Sequence, residues 1–380
     1  MDTLSQSREK IDRIDDQIVG LFEQRMAVAS EIAKAKQSEG LTLMHRERER
    51  EIVNRLTDKV SDGLENYVKV LYSTMFDLSR SYQARLQGSE SKLRSKITKA
   101  IENTPRQLPK KAVVACQGVE GSYSQQACDK FFPMPSIMYF NTFDGVFQAV
   151  EQGLCQYGVL PIENSTAGSV NQVYDMMDSH HFYIASSLRF KITHSLLSKK
   201  GVNPGDIKEI FSHQQAISQC SEFFKSHPNI KVTVCENTAI AARMVSESER
   251  RDIAAISSRD CAELYGLSEM GVRVQNNDAN YTRFILISKH LEIYPGANKS
   301  SLMLALPHRP GSLYNVISQF AAVGMNLTKL ESRPAVGKDF EFLFYFDVEG
   351  SVYDEDTIDL FCRLDKNLDR FTYLGSYLEK

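Results

Sequence analysis

Residues 11–36 read IDRIDDQIVGLFEQRMAVASEIAKAK. Written as a heptad, the a and d positions run Ile11, Ile14, Ile18, Leu21, Arg25, Val28, Ile32 and Ala35, an apolar seam broken by one guanidinium. The period predicts a long helix with a core-facing stripe, and Arg25 stands where that stripe should be greasy. A buried cation without a partner costs on the order of several kcal/mol, so an anion is expected inside. Lys36 follows close to three turns later, almost above Arg25 and about 16 Å along the axis. The stretch therefore predicts a helical bundle whose interior clamps a small polyanion.

Outward from this helix, periodicity continues from Leu4 to about Leu86 without a proline, broken near Ser38-Glu39-Gly40 and Ser61-Asp62-Gly63. A long helix, a shorter one and a second long one result. Three such helices leave apolar stripes uncovered, so the unit is expected to dimerise or form a higher homo-oligomer. Gly88 to Lys111 is polar and lysine-rich and reads as a linker, partly helical. Short β-branched runs then alternate with helical patterns: Ala112–Ala115, Tyr157–Leu160, Phe190–Ile192, Ile253–Ile256 and Phe284–Ile287. This is α/β texture, long enough for two lobes with a cleft between them. From Ser301 a βαββαβ order follows, the ferredoxin-like split motif: strands Leu302–Leu306, Leu327–Leu330, Glu341–Val348 and Phe371–Leu378, with helices after Pro310-Gly311 and near Thr357–Leu364.

Composition excludes several classes. At 380 residues with 42% hydrophobic content, the chain has room for two or three domains with real cores. A net charge of −3 without one-signed blocks argues against nucleic acid and membrane surface as partners. The seven scattered cysteines have no CxxC pair and no histidine at metal-ligand spacing, so they read as reduced core thiols with no metal site. The polar opening and the lack of a run of ~20 apolar residues lead to the expectation of a cytoplasmic protein.

On the third helix Ser79 and Gln83 are four apart and share a face, again interrupting an apolar stripe. With Arg8, Arg25, Lys36, Arg48 and Glu49 they resemble the all-helical chorismate mutases. The resemblance implies that Arg25, Arg48 and an Arg8 from a partner subunit bind the carboxylates of chorismate. It also implies that Lys36 and Gln83 hold the ether oxygen, that Glu49 holds the ring hydroxyl and that Ser79 lines the site. Such a pericyclic rearrangement to prephenate needs no base, metal or cofactor; a held conformer and stabilised charge on the breaking C–O bond suffice. His45 stands where that family usually carries an aspartate, which shifts hydroxyl binding toward Glu49.

In the α/β segment, Gly118-Val119-Glu120-Gly121-Ser122-Tyr123-Ser124 follows a strand and opens a helix able to hold a carboxylate. Leu160-Pro161-Ile162-Glu163-Asn164-Ser165, Ser212-His213, Gln219-Cys220, Glu236-Asn237-Thr238 and Tyr281-Thr282-Arg283-Phe284 come next. In this order they resemble prephenate dehydratase from Lys111 to Lys289. The resemblance implies Thr282 as the most critical residue, with Glu163, Asn164, Ser212, Gln219 and Glu236 in the catalytic cleft and Ser122 and Arg283 binding substrate. The reaction must orient a carboxylate and help a hydroxyl leave by giving it a proton. His213 is the one histidine placed near the chemistry, in a Ser-His-Gln-Gln context where the family commonly has Ser-His-Pro.

Gly311-Ser312-Leu313-Tyr314 and Glu331-Ser332-Arg333-Pro334, behind a dehydratase and on a βαββαβ frame, resemble the ACT regulatory domain. That implies a phenylalanine site from Gly311, Ser312, Leu313, Glu331, Ser332 and Arg333. The whole chain thus resembles the bifunctional chorismate mutase/prephenate dehydratases, with chorismate, prephenate and L-phenylalanine as ligands. The expected fold is multidomain: an all-α mutase domain at 1–90, a linker at 91–110, a two-lobed, periplasmic-binding-protein-like α/β dehydratase domain at 111–290 and an α+β ferredoxin-like domain at 299–380. On those boundaries, truncation before Ser301 should spare catalysis. The rival reading is an amino-acid-sensing regulatory protein with decayed catalytic units; Lys36, Gln83 and Thr282 argue against it.

Overall fold

The seam of residues 11–36 becomes part of one helix, and the break near Gly63 falls between helices, in a computed structural model that describes residues 3–38, 46–87, 91–308, 310–334 and 342–380; Glu39 and Gly40 of the other expected break lie outside the described residues. In chain order the elements begin with α1 (Thr3–Ser38), α2 (Arg46–Thr57), α3 (Glu65–Gln87), α4 (Lys92–Asn103), β1 (Lys111–Gln117), α5 (Tyr123–Phe131), β2 (Met134–Phe140), α6 (Phe143–Glu151), β3 (Tyr157–Asn164) and β4 (Gly168–Ser169). There follow α7 (Asn171–Met177), β5 (Tyr183–Lys191), β6 (Ser195–Ser198), β7 (Glu209–His213), α8 (Gln214–Gln219), α9 (Ser221–Ser226), β8 (Lys231–Cys235), α10 (Thr238–Glu247), β9 (Ile253–Ser257), α11 (Asp260–Leu264), β10 (Ser268–Glu269) and β11 (Tyr281–Ser288). The chain closes with β12 (Lys299–Leu306), α12 (Ser312–Ala322), β13 (Asn326–Pro334), β14 (Phe342–Glu349), α13 (Glu355–Asn367) and β15 (Arg370–Tyr377). These elements form two compact units, residues 1–98 with 302–372 and residues 99–301 with 373–380.

In the first unit α3 packs against both α1 and α2. Ala29 and Ala33 on α1 are buried, as is Phe76 on α3. The rest of the seam is not core within one chain but an uncovered stripe of the kind three helices were expected to leave: Ile11, Ile14, Ile18, Leu21, Val28 and Ile32 are between 48% and 64% exposed. Two partner helices cannot cover an apolar stripe that runs the length of a 36-residue helix. The stretch expected as a linker is regular helix over Lys92–Asn103, with Leu93 and Ile97 buried. Arg94 donates to Glu355 at 2.6 Å and also pairs with Asp359, both on α13. The closing elements run β-α-β-β-α-β in the order β13-β14-β12-β15. Phe320 of α12 and Phe346 of β14 pack at 5.7 Å in their core.

The second unit has two sheets. The first runs β2-β1-β3-β11-β5, with β4 on β3, and the second β10-β6-β9-β7-β8. β1 is parallel to β2 and β3, which helices connect, while β11 returns antiparallel to both β3 and β5. Each sheet has its own core, one around Val114, Val159 and Leu286, the other around Leu196, Ile210 and Ile256. The chain passes from the first sheet to the second after β5 and comes back into β11. The two crossings are tied: Gln275 accepts from His194 N at 2.9 Å, and Ile192 N donates to Asn280 O at 2.8 Å. Residues 378–380 add a short parallel pairing to the outer edge of β5.

Candidate active sites

The first unit holds a cavity of about 530 Å³. Its apolar wall includes Val28, Ile32, Ile52 and Phe76, and its polar wall is Arg25, Lys36, Arg48, Glu49, Ser79, Arg80 and Gln83. Four basic groups face one carboxylate there, so the cavity favours an anion. The Arg25 guanidinium lies 5.5 Å from the centre of the Phe76 ring, and its Nη1 is buried without a hydrogen-bond partner among the described residues. Such a donor calls for an acceptor from a ligand. Gln83 Nε2 donates to Ser79 Oγ at 3.3 Å, the i,i+4 pair read from the sequence.

Six of the residues expected at this site are therefore together. Arg8 is exposed and does not line the cavity. His45 lies outside the described residues. Arg80 had been missed; it bridges Glu49 and Asp77, and its place directly after Ser79 on a helix was the available signal.

In the second unit a cavity of about 410 Å³ opens between the two sheets. At its floor Thr282 is the direct ladder partner of Asn164, so both side chains emerge on the same face. Asn164 Nδ2 donates to Thr282 Oγ1 at 2.9 Å and to Asn280 Oδ1 at 2.9 Å. Asn164 Oδ1 accepts from Thr166 and Ala167 N, which fixes the amide orientation. Because Thr282 Oγ1 accepts from Asn164, its own proton is left to point into the cleft.

Gln219 extends the network. Its Nε2 donates to Thr166 Oγ1 at 2.6 Å, and its Oε1 accepts from Asn280 at 2.9 Å and faces His194 Nε2 at 2.9 Å. With that acceptor, His194 carries its proton on Nε2. Burial lowers its pKa, so the ring is neutral near pH 7. Three N-cap residues, Ser122 of α5, His213 of α8 and Asn237 of α10, line the same cleft.

Ser122, Asn164, Gln219, Glu236 and Thr282 thus meet as expected, with His213 beside them. Three expectations are corrected. Ser212 is fully buried and its Oγ donates to Ile256 O at 2.7 Å, so that hydroxyl holds the second sheet together. Glu163 and Arg283 are ladder partners one residue from Asn164 and Thr282, and strand alternation turns both away from the cleft. His194 was missed because it sits in no motif; only the crossing between sheets brings it in.

The residues expected to bind an effector lie on two packed elements, α12 and β13. Gly311 has φ 85° and caps α12, where a side chain would be strained. Ser312 Oγ is buried without a hydrogen-bond partner among the described residues. Leu313 is half-buried, as are Glu331 and Arg333, while Ser332 is exposed; Lys329 lies 3.7 Å from Glu331. No helix among the described residues is long and apolar enough to cross a membrane. Nor do these residues include a His, Cys, Asp and Glu cluster that could hold a metal.

Two protein families match this chain, each over a segment that holds one of the cavities. The chorismate mutase type II family matches residues 7–84, and the prephenate dehydratase family matches residues 114–292. The bifunctional chorismate mutase/prephenate dehydratase of Aquifex aeolicus is 30% identical over 380 residues, covering 99% of this chain and 98% of its own. Arogenate dehydratase/prephenate dehydratase 2 of Arabidopsis thaliana is 35% identical over 74% of this chain and 76% of its own. Among solved structures, prephenate dehydratase from Arthrobacter aurescens in complex with L-Phe superposes with a TM-score of 0.64 at 28% identity, covering 70% of this chain and 89% of that one. With near-complete coverage of a bifunctional relative and both family matches on one chain, the chain belongs to the bifunctional chorismate mutase/prephenate dehydratase family.

Proposed function

We propose that the helical cavity rearranges chorismate to prephenate and that the cleft of the second unit decarboxylates and dehydrates prephenate to phenylpyruvate, a route to phenylalanine. The observation that carries this reading is that Arg25, Lys36, Arg48, Glu49, Ser79 and Gln83 line one cavity while Ser122, Asn164, Gln219, Glu236 and Thr282 line the other. In the helical cavity Arg25 and Arg48 take carboxylates, with Lys36 and Gln83 donating to the ether oxygen as its bond breaks. Donors already fixed in place stabilise that charge without reorganising. Glu49, held by Arg80, is left to accept from the ring hydroxyl.

In the cleft, aromatisation drives loss of carbon dioxide together with the ring hydroxyl. Thr282 donates its hydrogen bond to the departing oxygen, while Asn164 donates to Thr282 Oγ1 and supports the charge left there. Among the described residues lining the cleft there is no lysine or arginine. The substrate carboxylates instead meet the N-termini of α5 and α10, where backbone N–H groups and the helix dipoles favour anions. Feeding chorismate to the purified protein and following prephenate and phenylpyruvate separately tests both halves. Absence of both products supports the rival reading as a sensor.

A second substrate reading has one observation in its favour. Glu236 is a carboxylate on a cleft without lysine or arginine among its described lining residues, which suits an amino-acid side arm carrying an ammonium, as in arogenate. Competition between prephenate and arogenate for the dehydratase decides between them.

The uncovered stripe of α1 supports self-association through that face, which would also bring in a partner's Arg8. Ile14→Glu with Ile18→Glu should then give monomers by sedimentation and lose mutase activity. The closing βαββαβ elements support the ferredoxin-like ACT assignment, with phenylalanine inhibiting the dehydratase through Gly311, Ser312, Leu313, Glu331, Ser332 and Arg333. The unpartnered Ser312 Oγ is the observation behind that site. Calorimetry with phenylalanine on the intact protein and on Ser312→Val tests it.

A further inference from the structure

We propose that Arg283 is a positioning residue that aligns Thr282 by anchoring the far face of β11 to the segment Tyr377–Lys380, which makes that segment a working part of the dehydratase. The inference rests on Thr282 being the proton donor proposed above.

Arg283 is 8% exposed and faces away from the cleft. Its Nε lies 2.7 Å from Glu379 Oε2, and its Nη2 donates to Tyr377 Oη at 2.8 Å. Glu379 receives two more partners, Lys299 Nζ at 3.0 Å and Ser187 Oγ at 3.0 Å, while Tyr377 Oη meets Ser301 Oγ at 2.6 Å. Burial pushes the Glu379 carboxyl up, but Arg283 and Lys299 outweigh it and hold it below the ordinary carboxylate range. Two buried cations thus share one carboxylate, and that carboxylate comes from 96 residues beyond Arg283 in the sequence.

The backbone docks as firmly as the side chains. Lys380 N donates to Ser187 O at 2.9 Å and Arg189 N to Lys380 O at 2.9 Å, so the segment lies along β5. At Gly375, with φ 134°, a β-carbon would lie 2.5 Å from Ile184 O. Only glycine permits that approach.

Anchorage matters at this point in β11 because its ladder with β3 shifts register between Arg283 and Phe284. A bulge re-aims side chains and loosens the local ladder. Directly beside it β11 keeps a regular ladder with β5 from Tyr281 to Leu286, and the Arg283 anchor adds a hold on the far face; an error of about 1 Å at a reacting group can cost on the order of 10²-fold.

The test is Glu379→Gln in the full chain, assayed on supplied prephenate, with chorismate consumption as the control for the first unit. The expected result is a fall in dehydratase kcat of at least fivefold, KM within twofold of the parent and unchanged mutase, with Glu379→Asp recovering part of kcat. An unchanged kcat overturns the proposal. So does a rise in KM alone, which would return Arg283 to substrate binding. If Glu379→Gln does not fold, Tyr377→Phe removes one hydroxyl and keeps the ring; the same kcat split is expected, and parental kinetics overturn the proposal. Thr282→Val is run in parallel: parental activity there overturns the underlying reading, whereas its collapse beside an unaffected Glu379→Gln overturns only this one.

Discussion

At Thr282 the hydroxyl can be separated from the shape of the side chain. Thr282→Val keeps the branching and removes the donor that Asn164 orients. Prephenate turnover should fall by about 10²-fold or more, the scale of losing one fixed donor, while mutase turnover stays at the parental rate and Thr282→Ser retains part of the dehydratase rate. A valine variant with parental kcat would move the proton to another group, His194 first. In the other cavity, Lys36→Ala or Gln83→Ala should raise the mutase barrier by about 3 kcal/mol and leave supplied prephenate turning over; equal loss of both activities in a folded variant would contradict separate sites. Arg80→Ala should release Glu49 and raise the mutase KM, measured on chorismate. Residues inside motifs were legible at this scale, since Thr282 and Asn164 sit in distinctive triplets and turns. Arg283 shows the limit: motif membership named it, but strand alternation from Thr282 to Phe284 sends it to the opposite face.

Elements were read well where period and length agree, as in α1 and α3 and in the closing βαββαβ order. Strand β5 was glimpsed only at its end, because Tyr183 to Leu188 mixes serines with apolar residues on a face covered by other chain segments. The seam of α1 shows that period reports a sticky face and not what covers it. In the second sheet, β7 and β8 are pinned by Glu209, which receives Lys231 at 2.8 Å, Thr233 at 2.7 Å and Arg250 at 2.6 Å. These hydrogen bonds hold its carboxyl at about 2, against an ordinary 4.5. A depressed folded value means that the stabilisation is complete above about pH 4.5 and is lost as pH falls toward 2. Melting temperatures of parent and Glu209→Gln should therefore differ near pH 6 and converge on acidification. A gap that stays constant over that window would show that the carboxylate is not the cause.

For the whole molecule, sequence reading drew boundaries as contiguous intervals, because composition changes along the chain and not across it. Packing divides it otherwise, with residues 373–380 belonging to the unit that carries the dehydratase cleft. The expectation that truncation before Ser301 spares catalysis is revised accordingly. Such a truncation removes Glu379 and Tyr377, two of the groups that hold Arg283. Its dehydratase should melt lower and turn over several-fold more slowly than the full chain, by calorimetry and steady-state assay on prephenate. Ser187 and Glu379 are 192 residues apart, and that separation governs how the protein is made. On the ribosome the outer edge of β5 emerges early and stays unpaired while all of α12, β13, β14 and α13 are synthesised. An open strand edge is a template for wrong partners. The edge of β5 is thus made 192 residues before the segment that covers it, so conditions that stall elongation between those points should yield aggregates enriched in chains lacking residues 378–380.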